Sequence, residues 1–328
     1  MHPFKYIKAV DITSAIHTIA SDKHAMYLAG GTSLVDMMKL QVQTPTLLID
    51  INALPLALIE EHEDGVRIGA LARNSDVAYH TLIRARYPLL AEAILSGASA
   101  QLRNMATIGG NILQPSRCSY FRDITTPCNK REPHSGCSAL TGHNRSHAIL
   151  GGNSSCIATH PSDMCVALVA LDAIIQVQGP QGTRTIPLVD LYVHPDDHPE
   201  QETILEHGEL IVSIDLPGSP FATHSHYLKV RDRASYAFAT AAVATGLEIQ
   251  NGIIRSARIA LGGVATKPWR AYEAESILIG HPPDETIYAD AARSAIQGAT
   301  PQRFNAFKIE LVQRAIIRAL ITVGGDHE

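Results

Sequence analysis

Between Asn111 and Leu140 the chain reads NILQPSRCSYFRDITTPCNKREPHSGCSAL, and this stretch restricts the fold more than any other. It holds three of the chain's five cysteines in sequence too rich in Pro, Gly, Asn and charge to build an apolar core, so something besides burial must order it. With Cys156 the series over Cys118, Cys128, Cys137 and Cys156 has the spacing C-x9-C-x8-C-x18-C. Two disulfides, a four-thiolate zinc site or an iron–sulfur cluster would each supply the missing order. Disulfides rank last, because they serve mainly small secreted domains and the start of this chain, MHPFKYIKAVDI, lacks an apolar signal segment. Structural zinc favours close C-x2–4-C pairs, which are absent, whereas a cluster tolerates wider loops; spacing leaves these two level. Cys165, in SDMCVALVAL, is surrounded by apolar residues and reads as core packing. His134, His143, His147 and His160 lie in or near the insertion and read as surface residues, since four thiolates complete either kind of site.

A chain of 328 residues exceeds the size at which single cores split, so two or three units are expected. With 45% hydrophobic and 18% charged residues, the chain has the composition of a folded protein. A formal charge of -5 and the absence of a Lys/Arg block argue against a nucleic-acid partner. No apolar run approaches the roughly 20 residues of a membrane span.

Residues 1 to about 75 alternate strand and helix patterns: FKYIKAV, a helical stretch from Thr13 to Ala20, AMYLAGG, a helix from Ser33 to Leu40, and TLLIDI. A second unit starts with VRIGALA, continues through a helix at Tyr87 to Ser96, and resumes after the cysteines with a helix from Ser162 to Leu171 and the strand AIIQVQG. HPDDHPEQET (194–203) reads as a surface loop before the strand ELIVSIDLP. From Thr223 onward three strand patterns give way to helices after Trp269, a third, α+β unit over 223–328.

Two glycine turns stand where strands meet helices. AGGTSL (Ala29 to Leu34) and ATIGGN (Ala106 to Asn111) offer backbone N–H groups to an anion, and neither contains the lysine that a transferable γ-phosphate needs. Paired loops of this kind suit a dinucleotide held by backbone amides rather than an NTPase. GGNSSC, before Cys156, repeats the Gly-Gly-Asn of 109–111 and is not assigned to the site.

In the order LAGGTSLVDMMK, QLRNMATIGGNILQ, the cysteine insertion, ATHPSDMCVAL and KVRDRASYAFA, the sequence resembles the FAD-binding subunit of the xanthine dehydrogenase family over essentially its whole length. The insertion narrows the resemblance to the flavin subunit of bacterial molybdenum-containing aldehyde oxidoreductases, which have periplasmic members. The resemblance implies an α+β fold, with a two-lobed vanillyl-alcohol-oxidase-type FAD domain over 1–222 and a small C-terminal domain over 223–328. Within the FAD domain the lobes are expected at about 1–60 and 61–222, with the insertion at about 114–157.

By the same resemblance Leu28, Ala29, Gly30, Gly31, Thr32, Ser33 and Leu34 wrap the FAD diphosphate, and Thr107, Ile108, Gly109, Gly110 and Asn111 supply the opposing loop. Asp163 falls where the family places an acidic residue that hydrogen-bonds the cofactor; a helix-capping role after Pro161 is the lesser alternative, and the two roles are compatible. Lys229 falls near the isoalloxazine, where a cation stabilises negative charge on reduced flavin, and Ile211 provides an apolar contact. Cys118, Cys128, Cys137 and Cys156 would ligate a 4Fe-4S cluster, which would then order the irregular stretch.

The implied role is an electron-transfer subunit of an aldehyde oxidoreductase. A molybdenum-cofactor subunit and a 2Fe-2S subunit would complete a heterotrimer, and electrons would leave through FAD to an external acceptor. The chain has neither G-x-S-x-G nor H-E-x-x-H, consistent with cofactors doing the chemistry. A stand-alone flavin reductase of the same fold and a zinc-stabilised interaction protein are the alternatives. Lacking its own signal, the chain is expected in the periplasm by co-export with a signal-bearing partner, or in the cytoplasm.

Overall fold

The structure, a computed structural model, describes residues 1–196 and 198–325. Residue 197, within the loop expected at 194–203, and residues 326–328, within the expected C-terminal unit, lie outside the described residues. The described residues form an α+β architecture of three sheets.

The first sheet is parallel, with β1 (Lys5–Lys8), β2 (Ala25–Leu28) and β3 (Leu47–Asp50) in the order β1-β3-β2. Parallel neighbours require crossovers, and helices Ile12–Ala20 and Leu34–Lys39 provide them. The first of these starts with a capping box, in which Asp11 and Ser14 satisfy each other's backbone N–H.

The second sheet is antiparallel: β4 (Ile59–His62), β5 (Gly65–Gly69), β6 (Ile174–Gly179), β7 (Gly182–Pro187) and β8 (Leu210–Leu216), in the order β4-β5-β8-β6-β7. The two edge strands carry no readable pattern in sequence. β7, GTRTIP, buries only Ile186, and β4, IEEH, buries nothing fully. β4 crosses the lobe boundary expected near residue 60 and pairs with the second lobe. The third sheet, β9 (Ser225–Val230), β10 (Ala241–Gln250), β11 (Ile253–Gly262) and β12 (Trp269–Arg270), runs in the order β12-β11-β10-β9.

Helix Asp163–Ala170 joins the last two sheets, and all eight of its residues are buried. Successive strand residues face opposite sides of a sheet, so Ala242 and Ala244 of β10 meet the core around this helix. Ala241 and Val243 meet the C-terminal helices Tyr272–Leu278, Glu285–Ala295 and Phe307–Gly324. Small residues permit this close packing: a Cβ on Gly262 would stand 2.5 Å from Val166 Cγ2. No described helix is long and apolar enough to cross a membrane.

Candidate cofactor site

The two glycine turns lie on one cavity of about 1410 Å³, bounded by the first lobe, the second lobe and the cysteine insertion. Ala29 to Leu34, Thr107, Gly109, Gly110, Asn111, Asp163, Ile211 and Lys229 line it. Leu28 ends β2 and is not among the lining residues, and Ile108 packs into the core at 1% exposure.

The turns contribute differently. Gly31, at φ +70°, bends the chain from β2 toward helix Leu34–Lys39 in a conformation that glycine adopts without strain. Gly30 lies against the second turn, and a Cβ there would be 2.0 Å from the Met105 carbonyl oxygen. Among the described residues, no protein acceptor takes the backbone N–H of Gly30, Gly31, Thr32 or Ser33. The Ser33 hydroxyl is buried without a partner as well. Buried polar groups are almost always paired, so this cluster of unused donors fits an anionic ligand.

The second turn has spent most of its donors. Ile108 and Gly109 N–H bond to Ala72 O (3.0 Å) and Ala70 O (2.8 Å), while Gly110 and Asn111 N–H bond to Thr107 Oγ1 (3.2 Å) and O (2.8 Å). It therefore forms a close, stiff wall opposite the donor-rich turn.

Lys229 and Asp163 form a buried pair, with Nζ 2.8 Å from Oδ2, and Lys229 also donates to Ser96 O at 3.1 Å. Tyr227 donates to the other carboxylate oxygen at 2.8 Å. Burial pushes the Asp163 carboxyl above its ordinary range, against the pull of Lys229. The capping role weighed for Asp163 belongs to Ser162, whose side chain accepts from Cys165 N. Lys229 is thus a buried lysine on the cavity wall, paired with Asp163.

Sequence reasoning missed several wall residues. Asn74 is 4% exposed and its Oδ1 has no partner, and Arg117 and Arg122 approach from the insertion toward Asp36. Asn74 gave no signal; Arg117 directly precedes the first cysteine of the series, which was the one hint along the chain.

All five cysteines are free, which removes the disulfide reading. Cys128 and Cys137 face each other across an isolated antiparallel bridge, and Cys118 and Cys128 pack with Met37 and Phe121. Burial pushes the Cys118 thiol up to about 12, with added contributions from Cys128 and Cys156; burial also raises Cys156, with Cys137 and Cys128 adding to it. The four thiols of the series thus share one neighbourhood. Among the described residues, no three His, Cys, Asp or Glu side chains are grouped so as to hold a metal ion.

His147 corrects the expectation that the nearby histidines are surface residues. It is 2% exposed, with Nε2 3.1 Å from Cys118 Sγ, because the backbone around it is held by the buried Lys308 and Asn305. His160 departs from it too, since its ring packs edge-on against Tyr192 and its Nε2 is buried. His134 and His143 are exposed as expected. Cys165 is fully buried, accepting from the Tyr192 hydroxyl. The second Gly-Gly-Asn lies away from the cavity, with Asn153 bonded to Pro195 O and to the N–H groups of Ser155 and Cys156.

The family described as the FAD binding domain in molybdopterin dehydrogenase matches residues 2–219, and the carbon monoxide dehydrogenase flavoprotein C-terminal domain matches residues 226–323. The chain is 48% identical over 300 residues to the aldehyde oxidoreductase FAD-binding subunit of Escherichia coli, covering 90% of each chain. It is 29% identical over 304 residues to the glyceraldehyde dehydrogenase medium chain of Sulfolobus acidocaldarius, covering 92% of this chain and 90% of that one. Carbon monoxide dehydrogenase from Hydrogenophaga pseudoflava superposes with a TM-score of 0.77 at 29% identity, covering 99% of this chain and 98% of that one.

Proposed function

This chain belongs to the family of FAD-binding domains of molybdopterin dehydrogenases, and from that premise we propose that it is the electron-transferring FAD subunit of a heteromeric, molybdenum-containing aldehyde oxidoreductase. The observation that carries the FAD assignment to particular residues is the row of unused N–H donors at Gly30 to Ser33 on the wall of the large cavity. FAD, when bound, supplies the redox chemistry that no side chain of this protein provides. The first turn would hold the diphosphate through backbone N–H groups, and the second would fix its distance. The Asp163–Lys229 pair and Ile211 would line the remainder of the cofactor site.

Cys118, Cys128, Cys137 and Cys156 would hold a 4Fe-4S cluster. Four free thiols in an insertion with little apolar core of its own, with Cys128 bridged to Cys137 and packed with Cys118, support this reading, because the loop then has an agent that orders it. The chain would take electrons from a partner carrying 2Fe-2S clusters, supplied in turn by a molybdenum subunit that binds the aldehyde, and deliver them to an external acceptor. The domain division proposed is 1–222 for FAD binding and 223–328 for the C-terminal unit.

The test is an anaerobic ultraviolet–visible spectrum of the purified chain, with flavin, iron, acid-labile sulfide and zinc assayed on the same sample. Flavin with about four irons and four sulfides per chain is the expected result. Flavin with zinc in place of iron would replace the cluster by a structural metal. Absence of both flavin and iron would overturn the proposal.

A further inference from the structure

We infer that Arg117, carried by the insertion, binds the diphosphate of FAD, so that the insertion forms part of the cofactor site. The inference rests on the FAD reading of the cavity and concerns a residue outside both glycine turns.

Arg117 lines the same cavity as Gly30 to Ser33, and its side chain is 25% exposed. Its guanidinium has weak partners: Nη2 donates to Gln114 Oε1 at 3.3 Å, Nη1 lies 3.7 Å from Asp36 Oδ2, and Nε is buried with no acceptor. The group lies 5.2 Å from the centre of the Phe238 ring, a contact that uses none of its donors. The other arginines on the wall are better satisfied. Arg122 donates to Asp36, Arg103 to Gly97 O at 2.7 Å, and Arg233 to Tyr236 O at 3.0 Å. Lys229 is paired with Asp163.

Asp36 places this under-used cation beside the donor-rich turn. It sits in helix Leu34–Lys39, three residues after Ser33, and both arginines converge on it. A lone carboxylate there would repel a diphosphate. Two arginines against one carboxylate leave a single positive charge, and Arg117 is the member whose Nε is buried without an acceptor. A guanidinium fork and four backbone donors together match the oxygens of a diphosphate.

The experiment uses Arg117→Gln and Arg117→Lys in the full chain within its assembly. Flavin content is measured as purified, and after flavin depletion the binding of FAD and of riboflavin is followed by quenching of flavin fluorescence. Arg117→Gln is expected to weaken FAD about ten- to a hundred-fold while leaving riboflavin unchanged, since riboflavin has no phosphate. Arg117→Lys should recover part of the loss, as a cation without the planar fork. Undiminished FAD affinity in Arg117→Gln would overturn the inference, as would equal weakening of FAD and riboflavin, which would mark a merely structural role. An unsubstituted protein that binds no FAD would instead overturn the reading on which the inference rests.

Discussion

Lys229 and Asp163 have side chains only 4% and 8% exposed, and within the fold each is the buried ionic partner of the other. Removing one partner of a buried pair leaves an uncompensated charge, and Lys229→Met should destabilise the protein by about 3–5 kcal/mol in urea unfolding. The loss should depend on pH. Burial already raises the Asp163 pKa, and without the lysine it rises further above its unfolded value, so the folded state binds the extra proton. The variant should therefore lose stability as pH rises and be closest to the unsubstituted protein in mild acid. His160 gives the opposite slope. Burial, helped by Lys130, pushes its pKa down to about 3, so the unfolded chain binds a proton that the native chain refuses. Stability from this residue is present above about pH 6.5 and falls toward about 1.4 kcal/mol per unit as pH decreases below that. His160→Gln should show a correspondingly shallower acid limb in urea midpoints measured from pH 7 to 5. Both residues were nameable from sequence, Lys229 as a cofactor neighbour and His160 as a histidine near the insertion. Their partners lie 66 residues away in one case and across a core in the other, and pattern carries no information about such contacts.

At the scale of elements, the two glycine turns were legible because a glycine pair between an apolar strand and a helix marks a tight turn that larger side chains would obstruct. Their division of labour was not. Gly30 is required by the approach of the second turn, whose Met105 carbonyl would be 2.0 Å from any Cβ. Gly30→Val should separate the turns, so flavin content and thermal midpoint should fall together. Full flavin retention with an unchanged midpoint would contradict the contact. The edge strands β4 and β7 escaped detection for a related reason, since a strand paired on one side and largely exposed needs no apolar alternation. The buried helix Asp163–Ala170 was recognised from its apolar run, yet its position between two sheets depends on glycine and alanine in strands far along the chain.

For the whole molecule, the insertion is tied to the first lobe by Met37, Phe121 and Cys128, and by the arginines that reach Asp36. Cys128→Ser, which exchanges a thiolate for a poor iron ligand, should abolish iron and acid-labile sulfide. Because Cys128 shares an apolar cluster with Met37, in the helix behind the donor-rich turn, flavin affinity should fall in the same variant. Unchanged iron would remove Cys128 from the ligand set. By itself the sequence determined the α+β class, the order of most elements, the two turns and the four-thiol insertion, because hydrophobic period, glycine placement and cysteine spacing are local properties. Only the tertiary structure decided which turn keeps its donors free, that Lys229 is spoken for by Asp163, that His147 is buried against Cys118, and that Arg117 enters the cavity. Hydrogen-bond satisfaction and burial belong to pairs of groups brought together by folding, and neither is written in the spacing of residues along one chain.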